Sequence, residues 1–88
     1  MVRVHVVVSG RVQGVWYRRS CQERAVAAGL AGWVRNRRDG TVEAVLEGGR
    51  DDVDAVLAWM ADGPPGAVVT NVQLEDEAPV GESGFHVR

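Results

Sequence analysis

Four valines stand at every second position from Val2 to Val8, with Arg3 and His5 among the residues between them. A period of two sends alternate side chains to opposite faces, so this run reads as a half-buried β-strand. Such a strand needs sheet partners and a covering layer, which confines the chain to folds built around a sheet. The covering layer is announced where the period changes: Tyr17, Cys21, Ala25 and Ala28 recur at helical spacing over Tyr17 to Ala28, and Gly29 supplies a left-handed stop. The small side chains on that face let the helix approach a sheet closely.

Leu30 to Arg37 and Thr41 to Glu47 flank Asp39-Gly40. The pair predicts a hairpin whose two central residues both take positive φ, although a two-residue loop does not align the apolar positions and the register stays open. After Gly48-Gly49, Asp51 or Asp52 is expected to cap a second helix with a core face of Val53, Val56, Leu57 and Met60. Gly63-Pro64-Pro65-Gly66 stops it. Ala67 to Asp76 reads as a fourth strand, and Phe85 to Arg88 as a short fifth strand after the flexible stretch from Gly81 to Gly84. The order βαββαβ predicts an α+β fold, a ferredoxin-like sandwich with an antiparallel sheet and two helices on one face. That fold hosts enzymes, RNA binders and metal carriers alike, so function must come from the site.

At 88 residues the chain is sized for one domain spanning 1–88. Its 45% hydrophobic and 25% charged residues fit an ordinary globular protein. No apolar run nears the roughly 20 residues of a membrane span, and the N-terminus lacks a signal-peptide pattern. A monomer in the cytoplasm with no membrane partner is expected. Cys21, the single cysteine, reads as a small buried hydrophobe. The net charge of −2 disfavours a nucleic-acid partner. All ten basic residues are arginine, which for most of them reads as compositional bias; seven lie between Arg11 and Arg38, a local excess that suits a small anion better than a polyanion. His5 and His86 have no third ligand at a defined spacing, so a metal site is not expected from them. Trp16, Trp33 and Trp59 read as packed or partly exposed residues rather than a base-stacking platform, and the first strand carries no aromatic residue with which to stack RNA bases. Glu75-Asp76-Glu77 reads as a solvated acidic end on a loop margin rather than an acid–base pair.

The stretch VSGRVQGVWYRR joins the first strand to the first helix. Gly10 and Gly14 let the backbone curl so that successive N–H groups converge, and the helix adds its positive end; such a cradle binds an oxyanion. The spacing matches neither a Walker A loop nor a dinucleotide fingerprint, and two glycines after a strand also suit a plain turn. Arg18 tips the reading toward an anion. An arginine in a first helical turn opposes the helix dipole unless an anion reverses the local sign and accepts its planar fork. Asn36, in GWVRNRRDG, leaves two readings open: a common hairpin residue, or an amide that holds a water in line with phosphorus.

GRVQGVWYR, from Gly10 to Arg18, and GWVRNRRDGTVEAVLEG, from Gly32 to Gly48, resemble the two signature motifs of the acylphosphatase family, and the resemblance spans essentially the whole chain. It implies hydrolysis of the carboxyl-phosphate bond of a small acyl phosphate to a carboxylate and inorganic phosphate. Arg18 would bind the phosphate and Asn36 orient the attacking water, while Gly10, Arg11, Val12, Gln13, Gly14, Val15 and Trp16 would form the substrate-binding loop. Inorganic phosphate or sulfate would compete for that loop. Neither a metal nor a cofactor would be required. A carrier role like that of the acylphosphatase-like domain of carbamoyl-transferring maturation proteins is the alternative within the resemblance.

Overall fold

The computed structural model describes residues Met1–Arg88. Strand β1 (Val2–Arg11) is followed by α1 (Tyr17–Ala27), β2 (Ala31–Asn36), β3 (Val42–Gly48), α2 (Arg50–Asp62), β4 (Val68–Glu77) and β5 (Phe85–Val87). The sheet order is β4-β1-β3-β2-β5. Pairing is antiparallel from β4 to β2, and β5 adds parallel to β2, so the fifth strand makes the sheet mixed. Val4, Val6 and Val8 are buried with Val34, Val42, Ala44 and Leu46 on the helix side, where α1 contributes Tyr17, Cys21 and Ala25, and α2 contributes Val53, Val56 and Met60. At roughly 1.5–3 kcal/mol for each large apolar side chain buried, these alternating positions fix which face of β1 turns inward. Burial pushes the Cys21 thiol up to about 12, which keeps it protonated and inert.

Three local expectations are corrected. β1 runs past Val8 to Arg11, because β4 continues to pair with it across a register shift at Ser9/Gly10. Gly10 sits at φ +118, where an added Cβ would lie 2.1 Å from the Val68 carbonyl oxygen; its absent side chain lets the strands pass this irregularity. The β2–β3 turn places Gly40 at φ 91 but leaves Asp39 out of the positive-φ region. Asp39 instead accepts hydrogen bonds from the Thr41 N–H at 3.0 Å and the Thr41 hydroxyl at 2.6 Å, and the loop closes further back, where the Arg37 N–H donates to the Thr41 carbonyl at 2.9 Å. Helix α2 starts one residue before the two aspartates: Gly49 is its N-cap, and Asp51 and Asp52 lie within the first turn.

The sheet face away from the helices carries Arg3, His5, Glu43 and Glu47 beside Val7, Val45 and Trp33. Glu75, Asp76 and Glu77 stay exposed but are the last residues of β4 rather than a loop margin, and Glu77 accepts a hydrogen bond from Arg3 at 2.9 Å. Glu47 is buried at 3% exposure and moors the segment 78–84, which carries the chain from the β4 edge to the β5 edge. Its carboxylate accepts the N–H groups of Val80 and Glu82, each at 2.9 Å, and contacts Arg3 at 3.2 Å. These donors, the Val80 N–H foremost, more than offset the burial that opposes its charge and hold the Glu47 carboxyl below the usual range. Further along this face burial also works against the charge of Glu43, but His5 at 2.6 Å and Arg35 at 2.5 Å outweigh it and lower its carboxyl too.

Candidate active site

β1 and β2 are both antiparallel to β3, so they run in the same direction and their C-terminal ends share one end of the sheet. Val8, Val42 and Asn36 form one row across the three strands. Alternation puts Asn36 on the same face as buried Val34, the face on which the helices lie, but at the exposed end of β2. The turn from β1 into α1 comes up beside it. Between the two lies a cleft of about 680 Å³ whose lining includes Val12, Gly14, Trp16, Arg18 and Asn36.

The turn is a row of unused donors. No backbone N–H from Val12 through Arg19 reaches a backbone acceptor, and the first helical bond is made by the Ser20 N–H to the Trp16 carbonyl at 3.0 Å. Helix α1 has no side-chain cap and no acidic residue in its first turn. Trp16, its N-cap, is held left-handed at φ 63 with 75% of its surface exposed. A left-handed conformation is costly for a bulky residue, by roughly 1–2 kcal/mol, and here it turns the chain from the loop into the helix. Consecutive N–H groups in such a bend, together with the positive end of a helix, form a cradle for an oxyanion. Arg18 adds a full charge at its edge, and its Nη1 donates to the Arg88 carbonyl at 3.2 Å, which orients the guanidinium from the β5 side.

The structure thus brings Arg18, Asn36, Val12, Gly14 and Trp16 to one cleft, while Gly10, Arg11, Gln13 and Val15 do not line it. Gly10 and Arg11 belong to β1, Val15 packs against the core, and the Gln13 side chain reaches to the β2–β3 loop. Reading the sequence missed Tyr17, Arg19, Gln22, Glu23 and Val87, which complete the lining. Gln22 could have been found, since it falls one helical turn beyond Arg18. Val87 arrives through β5 and carries no local signal. Tyr17 forms part of the floor; its hydroxyl donates to the Met60 carbonyl at 2.7 Å, and burial above all raises its pKa, so it stays neutral.

A family model for acylphosphatases matches residues 4–87. The chain belongs to the acylphosphatase family. It is 52% identical over 86 residues to an acylphosphatase of Pelotomaculum thermopropionicum, covering 97% of this chain and 94% of that one. The crystal structure of the Bacillus subtilis acylphosphatase superposes with a TM-score of 0.96 at 34% identity, covering 100% of this chain and 99% of that one. An acylphosphatase structure from Coxiella burnetii gives 0.95 at 42% identity, covering 99% and 92%. As an acylphosphatase the protein is a hydrolase with the ferredoxin-like fold, and no helix is long and apolar enough to cross a membrane.

Proposed function

We propose that the protein hydrolyses the carboxyl-phosphate bond of small acyl phosphates, with Arg18 and the loop holding the phosphate and Asn36 orienting the attacking water. The observation that carries this reading is the run of backbone N–H groups from Val12 through Arg19 without backbone acceptors, facing Asn36 across one cleft. The phosphate oxygens take N–H groups of the Val12 to Trp16 turn and the planar fork of Arg18. The exposed amide of Asn36 accepts a hydrogen bond from water and directs its lone pair at phosphorus. The water oxygen forms a bond to phosphorus as the bond from phosphorus to the acyl oxygen breaks; the carboxylate leaves and the water proton passes to a phosphate oxygen. A carboxylate is a good leaving group, so placement and fixed positive charge account for the catalysis without a protein base. The reading extends to a monomer working in the cytoplasm, with inorganic phosphate or sulfate as competing anions for the phosphate-binding loop.

Release of phosphate from benzoyl phosphate tests the proposal. Turnover is expected without added metal and in the presence of a chelator, with inorganic phosphate as a competitive inhibitor. Asn36→Ala is expected to lower kcat by about 10² while phosphate affinity changes little. Purely noncompetitive inhibition by phosphate would move the anion site elsewhere, and near-normal turnover of Asn36→Ala would return Asn36 to a hairpin role.

A further inference from the structure

The side-chain amide of Gln13 leaves its own loop. Its Nε2 lies 2.7 Å from the Arg37 carbonyl oxygen and 2.9 Å from the Thr41 carbonyl oxygen. Both neighbours are acceptors, so the nitrogen must face them; the flipped amide would set oxygen against oxygen. The same two carbonyls already close the β2–β3 loop, one accepting the Gly40 N–H at 3.2 Å and the other the Arg37 N–H at 2.9 Å. Gln13 adds a second hydrogen bond to each, and so joins the neck of the hairpin to the turn between β1 and α1.

The joint falls one residue from the reacting groups on either side. Val12 and Gly14, the chain neighbours of Gln13, line the cleft. On the other lip Arg37 directly follows Asn36, and Thr41 directly precedes Val42, the strand partner of Asn36. Asn36 is exposed at the end of β2, so the backbone that carries it sets where its amide stands. Two hydrogen bonds from one amide hold that backbone at a fixed distance from the anion cradle.

We propose that Gln13 is a positioning residue for hydrolysis, its side chain setting the separation between the water held at Asn36 and the phosphate held across the cleft. The proposal rests on the assignment of Asn36 made above. Gln13 touches neither water nor phosphate with its side chain, and its effect on the reaction passes through the hairpin.

The test is steady-state kinetics on benzoyl phosphate, with inorganic phosphate as competitive inhibitor, for Gln13→Ala, Gln13→Met, Asn36→Ala and the double variant Gln13→Ala with Asn36→Ala. Gln13→Met keeps most of the volume and removes the donors, so lost packing cannot imitate lost hydrogen bonds; thermal unfolding followed by circular dichroism reports on folding. Each Gln13 variant is expected to lower kcat by about 10- to 100-fold, the scale of a misplacement near 1 Å, while the inhibition constant of phosphate changes by less than about twofold. In the Asn36→Ala background, Gln13→Ala should add little, because the group it positions is gone. Independent, multiplicative losses overturn the proposal, as does a phosphate inhibition constant that worsens in step with kcat. A damaged Asn36→Ala beside a fully active Gln13→Met overturns the clamp alone, whereas a fully active Asn36→Ala overturns the Asn36 assignment and the clamp with it.

Discussion

Helices α1 and α2 both begin without a side-chain cap, yet their first turns carry opposite charge. α2 starts from Gly49 in an extended conformation and places Asp51 and Asp52 against its positive end. Carboxylates there stabilise a helix by about 0.3–1 kcal/mol each. α1 starts from a left-handed Trp16 and places Arg18 and Arg19 in the same positions, with no acid among them. Each arginine opposes the dipole on the same scale. The difference teaches that the start of α2 is balanced within its own first turn, whereas the start of α1 is left electrostatically incomplete, as the anion site proposed above requires. An anion that binds only the folded state restores stability by mass action, about 2.7 kcal/mol at a hundred times its Kd.

The comparison breaks hardest at Arg18→Asp, which gives α1 the sign of α2. Activity on benzoyl phosphate should fall by at least about 10³, and phosphate should no longer raise Tm, while the ligand-free protein is as stable as wild type or more so by up to about 1 kcal/mol. Kinetics with melting curves in and out of phosphate decide it; a variant still protected by phosphate would place the anion elsewhere. Arg18→Lys sharpens the contrast by keeping the charge and losing the fork. It should cost about 10- to 100-fold in kcat/KM and weaken phosphate binding, whereas Arg19→Lys, at an exposed rim residue whose guanidinium pairs with Glu23 at 3.4 Å, should cost far less. If Arg19→Lys is the more damaging change, the phosphate arginine has been misassigned. The smallest effect belongs to α2: Asp51→Asn or Asp52→Asn should lose about 0.3–1 kcal/mol of stability in urea unfolding with kcat unchanged. Any loss of activity there would show that the two helix starts are not independent.

Element order, the first strand and the core faces of both helices were legible in the sequence because each rests on a period that neighbours in the chain set among themselves. Arg18 and Asn36 each belong to a short run, and the structure sets both in one cleft, while the phosphate and water roles proposed for them rest on the family resemblance. What escaped depends on partners distant in the chain. Asp39 looked like a positive-φ residue until Thr41 supplied two donors to its carboxylate. Gly10 read as a flexible loop residue, but the Val68 carbonyl beside it makes it a strand residue that cannot carry a Cβ. Gln13 read as part of a backbone cradle; only the packing of β2–β3 against the turn shows where its amide goes. The parallel placement of β5, and with it Val87 in the cleft, follows from a crossing that no local pattern encodes.

Glu47 sits at the opposite end of the sheet from the cleft, in register with Arg3 and Ala31, yet it is tied to the cleft through the segment that it holds. The segment it holds delivers β5, and β5 brings Val87 to the cleft wall and the Arg88 carbonyl to Arg18. Because its carboxyl is held below the usual range when folded, the stability it contributes is present above the unfolded carboxyl value, about 4.3, and is lost as pH falls through the folded value. Acid should therefore act as a remote latch release, with one wall of the cleft swinging away while the central strands remain shut. Hydrogen exchange should show the Gly32 and Arg88 amides, which bond to Gly84 and Val34, losing protection at a higher pH than the amide of Val6, and Glu47→Gln should show that looseness already at neutral pH. Simultaneous loss at all three amides would mean that the wall and the sheet open as one body.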